Sequence, residues 1–246
     1  YPAEPQENLL YFIEKNAPLL EPWQRELVRI VRKLAQYFYP QRQTQVMNEG
    51  WASFWHYTLM NELYDRGYIT EGFMMEFLAS HSAVVFQPPY DSPYYTGLNP
   101  YTLGFNIYRD LKRLCQQPTQ EDREWFPEIA GSDWLDTLHF AMENFKDESF
   151  IQQFLSPKVM RDMHLFAVFD DEDESEYRIS AIHDEQGYRK LRALLAEQYN
   201  LGTREPNIQV YNVNVRGDRS LTLRHYRHNQ RPLGESTDEM LKHLHR

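Results

Sequence analysis

Leu165-Phe166-Ala167-Val168-Phe169, then Asp170-Asp171-Glu172-Asp173-Glu174, then Tyr177 to Ile182: in this stretch the chain changes character. Apolar runs rich in Val, Ile, Phe and Tyr flank a block of carboxylates. That pattern reads as two strands, with the charged block at a solvated hairpin tip. Further on, Gly187 to Tyr199 is amphipathic at helical spacing. Ile208 to Val215 and Leu221 to Tyr226 read as strands joined through Gly217-Asp218, a turn pair suited to a hairpin. Leu221 and Leu223 alternate with Thr222 and Arg224, so one face of the last strand is wet. A closing helix is expected from about Thr237. The order is β-β-α-β-β-α.

Before residue 164 the periodicity is helical. Pro22 sits at a first helical position, and Trp23, Leu27, Ile30, Val31, Leu34 and Phe38 follow at helical spacing, with Pro40 as the expected stop. A shorter apolar segment, Leu9 to Ile13, precedes that helix. Further helices are expected over about Gln45 to Arg66 with Gly67 as the stop, over Glu71 to Phe86, and from near Leu103 to before Pro118. Another begins after Ser132 or Asp133, and a short one near Pro157. The fold class is α+β: a mainly helical body over residues 1–163, then a small β-β-α-β-β-α domain over 164–246.

Aromatic side chains make up 15% of the 246 residues, enough to fill a sizeable core. The formal net charge of −10 argues against a general nucleic-acid binder, which needs a basic face to release counterions. The lone cysteine, Cys115, makes neither an internal disulfide nor a cysteine-based zinc site. No apolar run approaches the roughly 20 residues that span a bilayer, and no basic-then-apolar leader opens the sequence. The expected setting is cytoplasmic, with no membrane partner. Walker A, dinucleotide and Gly-x-Ser-x-Gly patterns are absent from the sequence.

Several stretches carry a resemblance. They include Glu7-Asn8-Leu9-Leu10-Tyr11-Phe12, Met47-Asn48-Glu49-Gly50-Trp51-Ala52-Ser53-Phe54-Trp55-His56, and Gln87-Pro88-Pro89-Tyr90-Asp91-Ser92-Pro93-Tyr94-Tyr95. Later come Ala130-Gly131-Ser132-Asp133-Trp134, Leu155-Ser156-Pro157-Lys158-Val159-Met160-Arg161, and Arg216-Gly217-Asp218-Arg219-Ser220-Leu221. Taken together and in this order, the set resembles the SpoVR family, named for stage V sporulation protein R. The resemblance implies a cytoplasmic protein linked to spore cortex formation in spore formers. Elsewhere it implies a place beside a PrkA-type serine kinase and a YeaH/YhbH-type partner, in stress and stationary phase. It also implies a further N-terminal segment with a closely spaced His pair of HxxGH type, and hence a site shared between that segment and this chain. It supplies no biochemical activity.

Two constellations could carry chemistry. The first is the helix with Glu49 and His56, which resembles the helix giving a third, carboxylate ligand to zinc in some peptidases. Glu49, Ser53, His56 and Met60 share a wedge of about 60°, and the helix is expected to be buried on all sides. Glu49 and His56 are about 10.5 Å apart along the axis, too far for one ion to take both directly. One would then bind and the other support. The plainer reading makes Glu49 a helix-start carboxylate and His56 a hydrogen-bonded core histidine. Any zinc would belong to the longer protein. The second constellation is the Tyr/Pro loop, with Tyr90, Tyr94, Tyr95 and Tyr101 among four prolines, and His81 close by. Its stiffness and stacking faces suit gripping a peptide or glycan chain. The alternative is a loop whose tyrosines pack on the helical body.

Two functions follow. One is a regulatory or scaffolding component of the kinase-linked module. The other is a metal-dependent hydrolase acting on peptide or peptidoglycan-like material, with Glu49 as a contributed ligand.

Overall fold

The computed structural model describes residues 9–169, 178–214, 216–218, 220–227 and 232–245. Its packing forms two compact units, one of residues 43–199 and one of residues 1–42 with 200–246. The change from helical to alternating pattern at residue 164 is a change of element type. The packing units change at 42/43 and 199/200.

In the larger unit the order is α3 (Gln45–Asp65), α4 (Glu71–Val84), α5 (Pro100–Gln116), α6 (Gln120–Trp125), α7 (Trp134–Asn144), α8 (Asp147–Phe154), α9 (Pro157–Asp162), β1 (Ala167–Phe169), β2 (Arg178–Ala181) and α10 (Glu185–Gln198). The smaller unit holds α1 (Leu9–Asn16), α2 (Pro22–Arg42), α11 (Leu201–Arg204), β3 (Asn207–Val213), β4 (Leu221–Tyr226) and α12 (Thr237–His245). Among the described residues the strands form two antiparallel pairs, β1 with β2 and β3 with β4. The α+β class and the β-β-α-β-β-α order hold, with short α11 inserted before β3. The acidic run at 170–174 lies outside the described residues.

Local chemistry sets most helix ends. Asn99 accepts from the Tyr101 N–H and Pro100 opens α5; Ser156 and Pro157 do the same for α9. Asp133 caps α7 through the N–H groups of Leu135 and Asp136. Gly67, at φ +73°, ends α3 in the left-handed region that other residues avoid. One expectation fails: α2 runs through Pro40 to Arg42. Pro40 falls in the last turn, where its missing N–H forgoes one ladder bond rather than splitting a helix interior.

The core lies in the larger unit, where α5 is the central element. Leu103, Ile107, Tyr108, Leu111 and Leu114 are fully buried. Phe54 of α3, Leu138 of α7, Phe150 and Phe154 of α8 and Met160 of α9 belong to the same cluster. Each such side chain contributes roughly 1.5–3 kcal/mol by leaving water. Helices α3 and α5 cross with their backbones touching: a Cβ on Gly50 would lie 2.4 Å from Gly104 Cα, and one on Gly104 would lie 2.1 Å from the Val46 carbonyl oxygen. Only glycine fits there.

Three buried carboxylates tie distant elements together. Asp147, at the start of α8, accepts from the Val46 and Met47 N–H groups, both at 2.9 Å, and its own N–H donates to the Gln43 carbonyl at 2.8 Å. It caps α3 from about a hundred residues away. Asp122 takes a two-pronged bond from Arg113, both prongs 2.7 Å, while Arg113 Nε donates to Asp110 at 2.6 Å. Ser156 donates to the other Asp110 oxygen at 2.6 Å, joining α5, α6 and the start of α9.

Candidate functional site

Helix α3 brings Glu49 to the start of α5. Glu49 is half-buried, and the Tyr101 hydroxyl donates to its carboxylate. That bond, with burial and the carboxylate's charge, pushes the Tyr101 phenol above its ordinary range. The expectation that α3 is buried all round fails: Ala52, His56 and Leu59 are exposed, while Ser53 and Phe54 are buried. His56 therefore lies at the surface, with its ring 4.9 Å from Phe77 of α4. Glu49 and His56 do not meet, as the seven-residue spacing dictates.

His81 of α4 is the buried histidine. Its ring lies 5.0 Å from Phe105, 5.2 Å from Tyr57 and 5.5 Å from Phe77. Its Nε2 is buried and has no hydrogen-bond partner. Burial in this aromatic box, and then the nearby His56, lower its pKa and favour the neutral imidazole. The structure thus pairs His81 with His56 across Phe77, and Glu49 with Tyr101. Among the described residues, no group of three or more His, Cys, Asp or Glu side chains could hold a metal ion. The described residues do not by themselves supply a zinc ligand set.

The loop between α4 and α5 is fastened from within. Asn99 Nδ2 donates to the Val84 carbonyl at 2.8 Å and to that of Phe86 at 3.1 Å, and the Asn99 N–H donates to Gln87 Oε1 at 2.8 Å. Gln87 Nε2 donates across the loop to the Gly97 carbonyl at 3.2 Å. Thr102 Oγ1 donates to the Val85 carbonyl at 2.7 Å. Tight turns at Pro89 to Ser92 and Ser92 to Tyr95 fold the loop tip.

This latch shapes an open pocket of about 680 Å³. Val84, Phe86, Pro88, Leu98, Pro100 and Tyr101 give it an apolar lining, and Thr96, Gly97 and Asn99 complete it. Of the four tyrosines, only Tyr101 lines it. Tyr90 and Tyr95 pack against each other at 5.3 Å, and Tyr90 also meets Phe166 at 5.8 Å. Burial, then Tyr90, raises the Tyr95 phenol. Tyr94 is 80% exposed. Nothing in the sequence marks the latch residues Gln87 and Asn99 as site residues. The helix start expected near Leu103 falls at Asn99-Pro100, and the carbonyls that Asn99 gathers belong to the preceding helix end and are not readable from composition.

Comparison with known proteins covers the whole chain. The family model described as SpoVR like protein matches residues 1–204, and the one described as SpoVR-like C-terminal domain matches residues 206–246. The chain is 68% identical over 246 residues to the uncharacterized protein YcgB of Escherichia coli (strain K12), covering 100% of this chain and 48% of that relative. It therefore spans about half the length of the curated relative it matches. No solved structure matches the chain. The motifs around Glu49, the Tyr/Pro loop and the β3–β4 turn all lie inside the matched ranges, and on that footing the chain belongs to the SpoVR family.

Proposed function

We propose that the chain works in the cytoplasm as a regulatory or scaffolding component. In spore formers this links it to cortex formation. Elsewhere it links it to a module with a PrkA-type serine kinase and a YeaH/YhbH-type protein, in stress and stationary phase. Its contribution is a recognition pocket for an extended polypeptide segment of a partner. The observation that carries this reading is the latched loop: Asn99 and Gln87 fix an open pocket of about 680 Å³ with mixed apolar and polar lining, and Tyr101 on its wall is bonded to Glu49. Its size falls within the range of ligand sites, and aromatic and proline-lined grooves suit extended chains. Titrating the full-length protein with the purified kinase tests the reading. Tyr101→Phe and Asn99→Ala should each weaken binding by at least ~10-fold. Unchanged binding in both, or no binding in the parent protein, would overturn it.

Glu49 favours a second reading, a metal-dependent hydrolase whose ligand set is shared with chain outside these residues. A half-buried carboxylate beside a pocket, held by a single tyrosine, is a ligand in want of company. Metal analysis of the full-length protein separates the two. Stoichiometric zinc that disappears in Glu49→Ala supports the hydrolase, and zinc content indifferent to that substitution removes it.

A further inference from the structure

Helix α2 has two faces of opposite fate. Gln24, Arg25, Val28 and Arg32 are half-buried, and α2 packs against α1. Arg32 Nη2 lies 3.1 Å from Glu14, and Arg25 donates to the carbonyls of Glu14 and Ala17. The opposite side carries Trp23, Leu27, Ile30, Leu34 and Tyr37, each between 44% and 66% exposed. Their spacings are 4, 3, 4 and 3. That is the alternation of a coiled-coil seam, a period of 3.5 sustained over two heptads. Glu26 and Lys33 flank it at equivalent heptad positions, where charged residues commonly set the partner.

The unit that contains α2 buries almost nothing of its own. Among its described residues only Glu14 is buried, and no apolar side chain is. A helix with a continuous apolar seam and no core beneath it is a surface awaiting cover. The shape of the seam calls for another helix with its own apolar stripe. Such a helix can come from another protein, from a second copy, or from more of the same polypeptide. Two heptads are a weak basis for joining free molecules, because association must first offset lost translational and rotational freedom. A covalently connected helix is spared most of that cost. The 68%-identical relative is about twice as long as this chain, so a connected segment of comparable length is available there.

We propose that the Trp23–Leu27–Ile30–Leu34–Tyr37 seam of α2 is the docking surface for a helix of the longer polypeptide outside these 246 residues. This stands independently of the pocket reading, since it concerns a different unit.

The test uses the full-length protein. Single variants Ile30→Cys, Leu34→Cys and Leu19→Cys are labelled with a maleimide, and the rate is read on the peptide carrying each position. Leu19, 84% exposed and off the seam, is the control. Ile30→Cys and Leu34→Cys should react at least ~10-fold more slowly than Leu19→Cys, with no change on dilution to the monomer. Equal rates at all three positions overturn the proposal. Protection lost on dilution also overturns it and gives the seam to a second copy. Should a variant fail to fold, the unsubstituted protein decides. An amine crosslinker should join Lys33 to a lysine beyond these residues within one molecule. Crosslinks of Lys33 only between copies, or only within these 246 residues, overturn the proposal.

Discussion

Asp147 and Asp122 are both buried carboxylates, and their surroundings push them in opposite directions. For Asp147 burial outweighs the backbone donors of Val46, Met47 and Gln45, and raises its pKa from 3.8 to about 6. A raised carboxyl contributes stability below its unfolded value, and that contribution is lost as pH rises through the folded one. For Asp122 burial also raises the pKa, but Arg113 and Thr119 together win and hold it at about 2. Its contribution is present above 3.8 and lost as pH falls towards 2. Between pH 4 and 7, then, the relative stability of Asp147→Asn should improve against the parent by on the order of 2–3 kcal/mol. Parallel pH–stability curves from chemical denaturation would contradict this. Asp122→Asn should cost about 1–3 kcal/mol at pH 7, because it takes the charge out of the fork on half-buried Arg113, which keeps its bond to Asp110. That cost should shrink on approach to pH 2. A flat difference across the acid range would place the energy elsewhere.

At the scale of elements, the α3–α5 crossing and the latched loop make the firmest claims. Gly104→Ala places a methyl group against the Val46 carbonyl, so the helices must part, at a cost of about 1–3 kcal/mol or more. Gly72→Ala, in the first turn of α4 with open space around it, should be neutral or stabilise by up to about 1 kcal/mol. Thermal melts of the two variants check the contrast, and equal melting temperatures would refute it. Asn99→Ala removes both carbonyl contacts and the α5 cap together, and should speed limited proteolysis between Gln87 and Leu98 by at least ~10-fold. What the sequence made legible here was local. Pro157, Asp133 and Gly67 announce helix ends within a few residues, the start expected near Leu103 falls at Pro100, and the order of strands after residue 164 follows from alternation. What stayed hidden was contact between residues far apart. Gly50 and Gly104 look like weak points inside helices until their backbones are seen to touch. Asp147 reads as an ordinary first-turn acid, because its bonds go to another helix's start. Tyr101 sat among four tyrosines of similar promise, and only the path of α3 singles it out for Glu49. The exposed position of His56 was likewise illegible, since aromatic neighbours in sequence suggested burial on every side.

Across the whole molecule the two units differ in kind. The larger holds every buried apolar side chain among the described residues, and the smaller holds none. No described helix is long and apolar enough to cross a membrane. Local stability follows buried apolar contact, so amides of α3 and α5 should exchange with deuterium at least ~10-fold more slowly than those of α2, β3, β4 and α12 in this chain. Uniform protection would show that the smaller unit is held by something other than packing. The aromatic residues give the same division an optical form. Trp51 and Trp55 stand 5.6 Å apart, and Trp55 and Trp134 stand 6.0 Å apart, while Trp23 is 60% exposed on α2. Three indoles at that spacing share their excited states, so they should give a split band in ultraviolet circular dichroism. Trp23 is exposed, and its red-shifted emission should be open to quenching by acrylamide. One cuvette can therefore follow both units by colour: the Trp55–Trp134 share of the split band is lost when α3 and α7 separate, the Trp51–Trp55 share lasts until α3 itself unwinds, and the quenchable red light dims when something comes to lie over α2.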